Sequence, residues 1–351
     1  MAVDLSKLVS KRRIAFEELS NTVIAIDAYN VLYQFLSIIR QPDGTPLTDS
    51  KGNVTSHLSG IFYRTIELVG YNIKPIYVFD GLPSMLKQKT IEARMQRRNA
   101  AYEAWQEAVR RGDIQAAKTH AQASARVDKH IVESSKALLD RMGIAYINAP
   151  SEGEAQASGM CRDGIAYAVA SQDYDTMLFG APHVVRNLTF SGRRKLPKKD
   201  VYINVEPEMV DFDETLRSLG INHKQLIWLG IMLGTDYNEG IKGVGPKTAL
   251  KIAKASESID DIKGQIKDKF KAEFEIDIKE VEELFTKPEV KELGKDEVER
   301  LLEKKSSRSE LIKFMCEEHG FSHERIDKFA DKLEGQQEAQ RQQGMDKWLR
   351  G

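Results

Sequence analysis

Four short apolar runs rich in β-branched residues alternate with amphipathic stretches along the first half of the chain. The runs are residues 22–26, 75–79, 144–147 and 165–170. The stretches at 29–39, 56–69, 127–142 and 155–161 are amphipathic, as expected of surface helices. Continuous apolar runs are typical of strands buried on both faces of a parallel sheet. The alternation therefore predicts an α/β fold, a mostly parallel sheet flanked by helices.

Residues 82–130 interrupt this alternation. They are rich in Ala, Arg and Glu and have no strand pattern, which predicts a helical insertion rising from the sheet edge. One or two further strands are expected within 184–204, and the chain then becomes helical to about residue 332. The segment from 334 is polar and Gln-rich, a composition that predicts a disordered tail.

Composition indicates the compartment and the kind of partner surface to expect, but not the reaction. The 351 residues are 41% hydrophobic and 30% charged, with a net charge of −1, so any nucleic-acid partner must be held by local basic patches. Cys161 and Cys316 have no disulfide framework or metal-ligand spacing, which favours a reducing compartment. We find no signal peptide and no apolar segment long enough to cross a bilayer. A soluble intracellular protein is expected.

Three of the predicted strands run directly into acidic residues. Asp27 follows the first run, Asp80 the second, and the pair Asp173 and Asp175 follows the run at 165–170. Ligands of open α/β sheets bind at the carboxyl ends of the strands, so these acids are placed where a site is expected. Each of them could instead cap the following helix. Because three strands end in this way, and one of them is followed by a D-x-D pair, a functional site is favoured over three separate helix caps.

Three further acids are harder to interpret. Ser151 and Glu154 match a capping box, which would account for Glu154 but leaves Glu152 unexplained. Gly153 lies in a first helical turn, where glycine is a poor choice unless another group approaches closely. Asp236 precedes a glycine-rich turn and could be a turn residue.

Seven acids in one cleft would repel each other unless cations neutralised them. Oxygen ligands without Cys or His suit Mg²⁺ or Mn²⁺. Two such ions promote in-line attack on a phosphodiester without a nucleophilic side chain. We find no convincing Ser–His or Cys–His arrangement, so the pattern predicts metal-dependent phosphodiester hydrolysis.

Three features are candidates for contacting nucleic acid. Gly240, Gly243 and Gly245 precede Lys247 in a pattern typical of a helix-hairpin-helix, whose backbone amides face phosphates; an ordinary tight connection is the alternative. In the insertion, Lys87, Arg94 and Arg98 share one helical face at i, i+7 and i+11, although a solvated surface helix would show the same charges. Tyr33 follows Asp27 closely and is either a base-stacking or a core aromatic.

These motifs, in this order, resemble the flap endonuclease family of structure-specific 5′ nucleases. The matching stretches include IAIDAYNVLYQFL, PIYVFDG, APSEGEAQA, ASQDYDTMLFG and GTDYNEGIKGVGPKTALKI, and the resemblance as a whole covers essentially the entire chain. The resemblance implies a PIN-like nuclease core, a helical arch over the site and a helix-hairpin-helix that holds K⁺. It also implies that two Mg²⁺ ions, replaceable by Mn²⁺, are bound by Asp27, Asp80, Glu152, Glu154, Asp173, Asp175 and Asp236.

The resemblance also suggests roles for other residues. Lys87 and Arg94 match the arch residues that engage the scissile phosphate, and Tyr33 matches the residue that stacks at the cleavage junction. Arg40, Thr55 and Arg64 fall in segments used around the junction and the 3′ flap. The full set of DNA-binding candidates is Tyr33, Arg40, Thr55, Arg64, Arg98, Glu152, Gly234, Asp236, Gly240, Gly243, Gly245 and Lys247.

The activity implied is a 5′-flap endonuclease with 5′–3′ exonuclease activity in replication, including Okazaki fragment maturation, and in repair. The tail fits the sliding-clamp (PCNA) pattern through Gln342, Met345, Trp348 and Leu349. Because the chain stops soon after Leu349, without the basic extension of eukaryotic members, it resembles archaeal members. A cytoplasmic monomer is expected, nuclear if eukaryotic. Two departures are Ala2 in place of glycine and Leu82 in place of lysine.

The expected regions are an N-terminal nuclease region at 1–104, with the arch within 82–130, an internal nuclease region at 122–258, a helical region at 259–333 and the tail at 334–351. Two other functions compete with the nuclease. One is a non-catalytic branched-DNA binding module recruited to the clamp, and the other is a PIN-type ribonuclease. All seven acids are present, which disfavours the first, and the arch and hairpin disfavour the second.

Overall fold

The computed structural model describes the backbone at residues 3–189, 192–195 and 202–350, and side chains at 3–189 and 205–339. Its centre is a seven-stranded sheet in the order β1-β9-β6-β5-β2-β3-β4. The strands are β1 (Arg12–Arg13), β2 (Val23–Asp27), β3 (Lys74–Phe79), β4 (Ala145–Asn148), β5 (Ala168–Ala170), β6 (His183–Arg186) and β9 (Glu208–Asp211). A separate antiparallel pair joins β7 (Gly192–Lys195) and β8 (Tyr202–Val205).

The five central strands, β4 to β6 in the sheet order, are parallel, and β9 and β1 add an antiparallel edge. Alternate side chains of β2 and β3 enter two different cores. Ala25 and Ile76 lie in one core, while Ile24 and Tyr77 lie in the other. Burial on both faces explains why these strands are continuous apolar runs rather than alternating ones.

Fifteen α-helices occur in the part of the chain that the structure describes. The first half contains α1 (Ala28–Ile38), α2 (Ser56–Gly70), α3 (Gln88–Arg110), α4 (Ile114–Ala123), α5 (Lys129–Arg141), α6 (Gly153–Arg162) and α7 (Asp175–Leu178). The second half contains α8 (Phe212–Leu219), α9 (His223–Leu233), α10 (Pro246–Lys254), α11 (Ile259–Phe270), α12 (Ile278–Thr286), α13 (Lys295–Leu302), α14 (Arg308–Ile312) and α15 (His323–Arg350).

The predicted fold class is confirmed: all four apolar runs are strands, and the four amphipathic stretches are helices. The run at 165–170 gives a shorter strand than its length suggests. The amides of Ile165 and Ala166 both donate to the carbonyl of Met160, so the start of the run closes a turn after α6. Only Ala168–Ala170 remains to pair with β2.

The insertion forms α3 and α4. Within α3, only Ala108 is buried, so most of this helix stands away from the body. Its return is anchored where the Trp105 indole donates to the carbonyl of Asp43 at 3.3 Å, and where Ala121 of α4 lies beside Gly44. The region is therefore a helical projection attached to the body mainly at its ends.

The backbone of the last helix, α15, runs from His323 to Arg350 and so enters the segment predicted as a tail from residue 334. Gln337 is buried and donates to the carbonyl of Met142 at 2.8 Å, which docks this part of the helix beside α5. No helix among the described residues is both long enough and apolar enough to span a membrane.

Candidate active site

The acids that follow the strands meet at one edge of the sheet. β3, β2 and β5 are adjacent and parallel, so their carboxyl ends lie side by side. Asp27 ends β2, Asp80 follows β3, and Asp173 and Asp175 follow β5. Glu152 and Glu154 lie at the start of α6, and Asp236 lies between α9 and α10.

Backbone amides fix three of these carboxylates. Asp27 accepts from the amide of Asn30 at 3.0 Å, so Asp27 does cap α1. Asp80 accepts from the amide of Gly153 at 2.8 Å, and Asp175 from the amide of Val3 at 2.8 Å. Capping and site membership are thus compatible, because a carboxylate at a strand end can cap a helix and still lie among other acids.

The capping box predicted from Ser151 and Glu154 does not form. The residue before α6 is Glu152, and no side chain caps this helix. Glu154 instead accepts from the hydroxyl of Ser171 at 2.9 Å, across the site. A Cβ on Gly153 would lie 2.6 Å from a carboxylate oxygen of Asp80. Glycine is required there because the loop and the acid approach closely.

Burial and mutual repulsion act together on the acids. Burial, with Asp80 as the next cause, raises the pKa of Asp27 to about 8. Burial likewise raises the pKa of Asp175 to about 7, helped by Asp236, and raises that of Glu154 well above its usual range, helped by Asp27. These carboxylates are short of positive charge, a condition that bound cations relieve.

The donor set fits hard divalent cations, since it consists of carboxylates without Cys or His. Within the described ranges, however, no three acidic, His or Cys side chains form a ready group that could hold a metal ion. Two of the acids are instead paired with cations from the insertion. Lys87 contacts Glu152 and lies 3.4 Å from Asp236, and Arg94 contacts Asp236.

The pairing is strong enough to overcome burial. Burial opposes the charge of Lys87, yet Glu152 and Asp236 outweigh it and raise the Lys87 pKa. Burial also opposes the charge of Asp236, but Lys87 and Arg94 outweigh it and lower the Asp236 pKa. The insertion therefore supplies positive charge to the acidic edge through these two side chains.

The third cation of this helical face pairs with an aromatic ring. The Arg98 guanidinium lies 4.3 Å from the centroid of the Tyr33 ring, a cation–π arrangement. Both side chains are half-buried. Tyr33 is therefore not a core aromatic; its ring faces the arch.

Arg40, Thr55 and Arg64 lie in α2 and in the loop between α1 and α2. Arg40 donates to the carbonyls of Leu36 at 2.6 Å and Gly44 at 2.8 Å, which fastens the loop after α1. Thr55 is buried at the start of α2. Arg64 is 5% exposed and pairs with the exposed carboxylate of Glu67 at 2.5 Å, so its side chain runs from the interior to the surface.

The predicted hairpin joins α9 to α10. A Cβ on Gly240 would lie 2.2 Å from the carbonyl oxygen of Leu233, whereas Gly243 has φ of +89° and an open surface. Gly245 is exposed directly before α10, and Lys247 is exposed in its first turn. Gly234 also has positive φ, at +96°. The hairpin therefore presents small residues and a free helix N-terminus to solvent.

Two polar residues beside the acids were missed by the sequence analysis. Asn30 donates to Asp173, and Ser171 donates to Glu154. The only indication of them in the sequence is that each lies close to an acid along the chain: Asn30 is three residues after Asp27, and Ser171 is two before Asp173. The predicted clamp residues Gln342, Met345, Trp348 and Leu349 lie outside the described side chains.

Comparison with known proteins fits this geometry. Two family models match: the XPG N-terminal domain over residues 1–101 and the XPG I-region over 143–236. Flap endonuclease 1 of Methanosarcina acetivorans is 50% identical over 99% of this chain and 100% of its own length. The Thermococcus onnurineus protein of the same name is 46% identical over 99% of each chain. The chain belongs to the flap endonuclease 1 family.

Solved structures agree with that assignment. Flap endonuclease-1 from Methanococcus jannaschii superposes with a TM-score of 0.73 at 37% identity, covering 96% of this chain and 99% of its own. The catalytic core of Rad2, solved in complex with DNA substrate, shares the fold, with a TM-score of 0.66 at 24% identity, covering 95% of this chain and 100% of its own. The fold of this chain is therefore the one found in flap endonuclease 1.

Proposed function

We propose that this protein is a structure-specific 5′-flap endonuclease with 5′–3′ exonuclease activity that hydrolyses phosphodiesters in branched DNA. The observation that carries the proposal is that the seven carboxylates lie close enough to affect one another's charge, while Lys87 and Arg94 of the insertion pair with two of them. Near-complete coverage by relatives named flap endonuclease 1 supports the same conclusion.

Two Mg²⁺ ions, replaceable by Mn²⁺, are the cofactor that suits the acids. The residues that would hold them are Asp27, Asp80, Glu152, Glu154, Asp173, Asp175 and Asp236. When bound, such ions supply an activated water and stabilise charge on the attacking and leaving oxygens. Burial and the neighbouring carboxylates raise the pKa values of Asp27 and Asp175, so bound cations would stabilise their ionised forms.

Lys87 and Arg94 are the proposed catalytic residues. In the DNA-free protein each is bound to a carboxylate, Lys87 to Glu152 and Arg94 to Asp236. A scissile phosphate brought over the acids is the natural alternative partner, since both side chains already reach the site. There they would stabilise the negative charge that develops on the phosphate during hydrolysis.

The remaining DNA contacts are proposed by region. Tyr33 stacks on a base at the junction after Arg98 leaves its ring, and Arg98 then turns to the backbone. Glu152 and Asp236, with Gly234, face the nearby strand. Exposure of the hairpin supports a grip on duplex phosphates through Gly240, Gly243, Gly245 and Lys247, with K⁺ held there. Arg40, Thr55 and Arg64 would shape the junction from inside, because Thr55 and Arg64 are buried and Arg40 is half-buried.

The regions of the chain, its protein partner and its cellular role are proposed from the same family resemblance. We propose nuclease regions at 1–104 and 122–258, a helical region at 259–333 and a clamp-binding tail at 334–351. Gln342, Met345, Trp348 and Leu349 would bind the sliding clamp, PCNA. The protein would act as a cytoplasmic monomer in replication and repair, removing flaps during Okazaki fragment maturation.

One comparison tests the activity. A double-flap DNA, the same DNA with EDTA, and single-stranded RNA are each incubated with the protein and Mg²⁺. Cleavage of the flap at its junction, abolished by EDTA and absent on RNA, is expected. Binding without any cleavage would support the non-catalytic module, and preferential cleavage of RNA would support the ribonuclease.

A further inference from the structure

Two uncharged side chains, Asn30 and Ser171, connect acids that come from three different segments of the chain. Neither residue belongs to the arch or to the acidic set. Both follow strands that end at the same sheet edge. Asn30 lies in the first turn of α1, which follows β2, and Ser171 directly follows β5. Their hydrogen bonds join the carboxylates that otherwise only repel one another.

Asn30 uses its backbone and both ends of its amide. Its backbone amide donates to Asp27 at 3.0 Å, and its Nδ2 donates to Oδ2 of Asp173 at 3.1 Å. Its Oδ1 accepts from the amide of Gln172 at 3.3 Å. β2 and β5 are neighbouring parallel strands, so this one side chain crosses the gap between them and fixes the loop that carries Asp173.

Ser171 completes the connection on the other side. Its hydroxyl donates to Oε1 of Glu154 at 2.9 Å and lies 3.4 Å from Oδ2 of Asp27. The same oxygen accepts from the amide of Asp173 at 3.1 Å. Ser171 is 4% exposed, so water has little access to replace these bonds if the hydroxyl is removed.

Neutral donors suit this position better than cations do. A lysine or arginine beside Asp173 and Glu154 would orient them but would also compete with a divalent cation for their charge. An amide or hydroxyl donor takes one lone pair of a carboxylate, fixes its rotation, and leaves its negative charge available. Outer hydrogen-bond partners of this kind hold metal ligands in their binding orientation.

We propose that Asn30 and Ser171 are positioning residues that hold Asp173, Glu154 and Asp27 in the orientation that binds a divalent cation. This inference rests on the metal site of the proposed function. It adds two residues that act through the acids and touch neither metal nor DNA.

The test uses the full-length protein and Mn²⁺ as the probe. Asn30→Leu keeps the approximate size of the side chain and removes both amide bonds. Isothermal titration of the DNA-free protein with MnCl₂ should show affinity weakened by roughly 10–100-fold, the usual cost of losing an outer partner of a metal ligand. The Mn²⁺ concentration that half-saturates single-turnover flap cleavage should rise in proportion, and excess Mn²⁺ should restore part of the rate.

Two controls separate positioning from general damage. Gln34→Leu makes the same kind of change one turn further along α1, where Gln34 accepts from Thr189 at 2.9 Å and touches no acid; its Mn²⁺ affinity should match the wild type. Ser171→Ala should weaken Mn²⁺ binding, and Ser171→Thr, which keeps a hydroxyl, should restore it. The Ser171 pair keeps the test available if Asn30→Leu fails to fold.

Unchanged Mn²⁺ affinity and unchanged metal dependence of cleavage in both Asn30→Leu and Ser171→Ala would overturn the proposal. So would wild-type protein that binds no Mn²⁺. A wild type that binds Mn²⁺ but does not cut flaps would refute the proposed function alone, because the titration of the variants would still decide whether Asn30 and Ser171 position the acids.

Discussion

Single residues at the acidic edge both stabilise local structure and belong to the candidate site. Asp27 caps α1 through the amide of Asn30 while it lies close enough to Asp80 and Asp173 to feel their charge. Because Gly153 has no side chain, its amide can approach and donate to Asp80. The cost of gathering these acids is therefore offset partly by backbone donors, which explains how the fold holds together before any cation binds.

Asp175→Asn separates the chemistry from the fold. The amide oxygen can still accept from Val3, which donates to Asp175 at 2.8 Å, and the buried negative charge disappears. Burial raises the Asp175 pKa, so its ionised form destabilises the fold near neutral pH. In EDTA, the melting temperature should stay equal or rise, while flap cleavage in Mg²⁺ falls by about 10²–10³-fold or more.

Differential scanning calorimetry and single-turnover kinetics check this prediction. Asp163→Asn is the matched control, because Asp163 is exposed at the end of α6 and should change neither quantity. Wild-type turnover by Asp175→Asn would remove Asp175 from the metal ligands.

His57 predicts a pH dependence that is independent of the site. It is 1% exposed, its Nε2 lies 2.8 Å from the Ser134 hydroxyl, and burial lowers its pKa to about 3. Between about pH 6.5 and 3 the unfolded chain binds a proton that the folded chain rejects. Stability should therefore fall as pH drops through this window, by up to about 1.4 kcal/mol per pH unit from this residue.

Urea unfolding at pH 7.5, 6.5 and 5.5 measures that slope. His57→Gln should unfold with a shallower pH dependence, because glutamine takes up no proton in the unfolded chain. An identical slope in the two proteins would assign the effect to other groups.

At the scale of elements, the arch is held differently from the rest of the fold. Helix α3 buries only Ala108, so packing does little to fix its position. Arg94 of α3 and Lys87, directly before it, pair with the acids, and Arg98 of α3 lies over the Tyr33 ring. An element held mainly by charge can exchange its partners for DNA phosphates at modest cost, whereas a helix docked by apolar burial could not.

Lys87→Ala and Arg94→Ala should each lower single-turnover cleavage by roughly 100-fold or more, the scale of one charge-stabilising group. Flap binding measured in Ca²⁺ should change far less, because many phosphate contacts remain. Arg110→Ala is the control: Arg110 ends the same helix, is exposed, and pairs with Glu107 at 2.9 Å. If binding and cleavage fell equally, Lys87 and Arg94 would be docking residues only.

The hairpin between α9 and α10 gives an element-scale prediction about duplex DNA. Gly243 has φ of +89° and is exposed, with only the Phe270 ring within 4.0 Å of an added Cβ, so a methyl there both strains the backbone and obstructs an approaching phosphate. Gly243→Ala should weaken binding to every duplex-containing substrate and spare single strands. Gly164→Ala carries the same backbone strain, at φ of +73°, in another exposed turn, and should leave duplex affinity unchanged. Equal duplex affinities for Gly243→Ala and wild type would show that the hairpin only connects α9 to α10 and does not contact DNA.

At the scale of the whole molecule, the sequence predicts what is periodic or local. The apolar runs indicate the parallel strands, and parallel topology brings their terminal acids together without further information. Contacts across the sheet are different. Asn30 meets Asp173 over a separation of 143 residues, and Arg64 meets Leu188 over 124, so neither the bridge nor the burial of Arg64 has a local signature. The failed capping box at Glu154 has the same origin, because its partner Ser171 comes from another strand.

The tail gives the last prediction, since it concerns how the molecule meets a partner. Gln342, Met345, Trp348 and Leu349 form the clamp-binding pattern, and α15 is docked up to Gln337 through the carbonyl of Met142. The pattern thus begins just after the anchored part of the helix. Deleting residues 342–351 should leave cleavage by the isolated enzyme unchanged and remove its stimulation by the cognate clamp. Cleavage at sub-saturating enzyme, with and without clamp, measures this, and the Trp348→Ala variant should reproduce the loss without shortening the chain. Equal stimulation of full-length and truncated proteins would place the clamp contact elsewhere on the molecule.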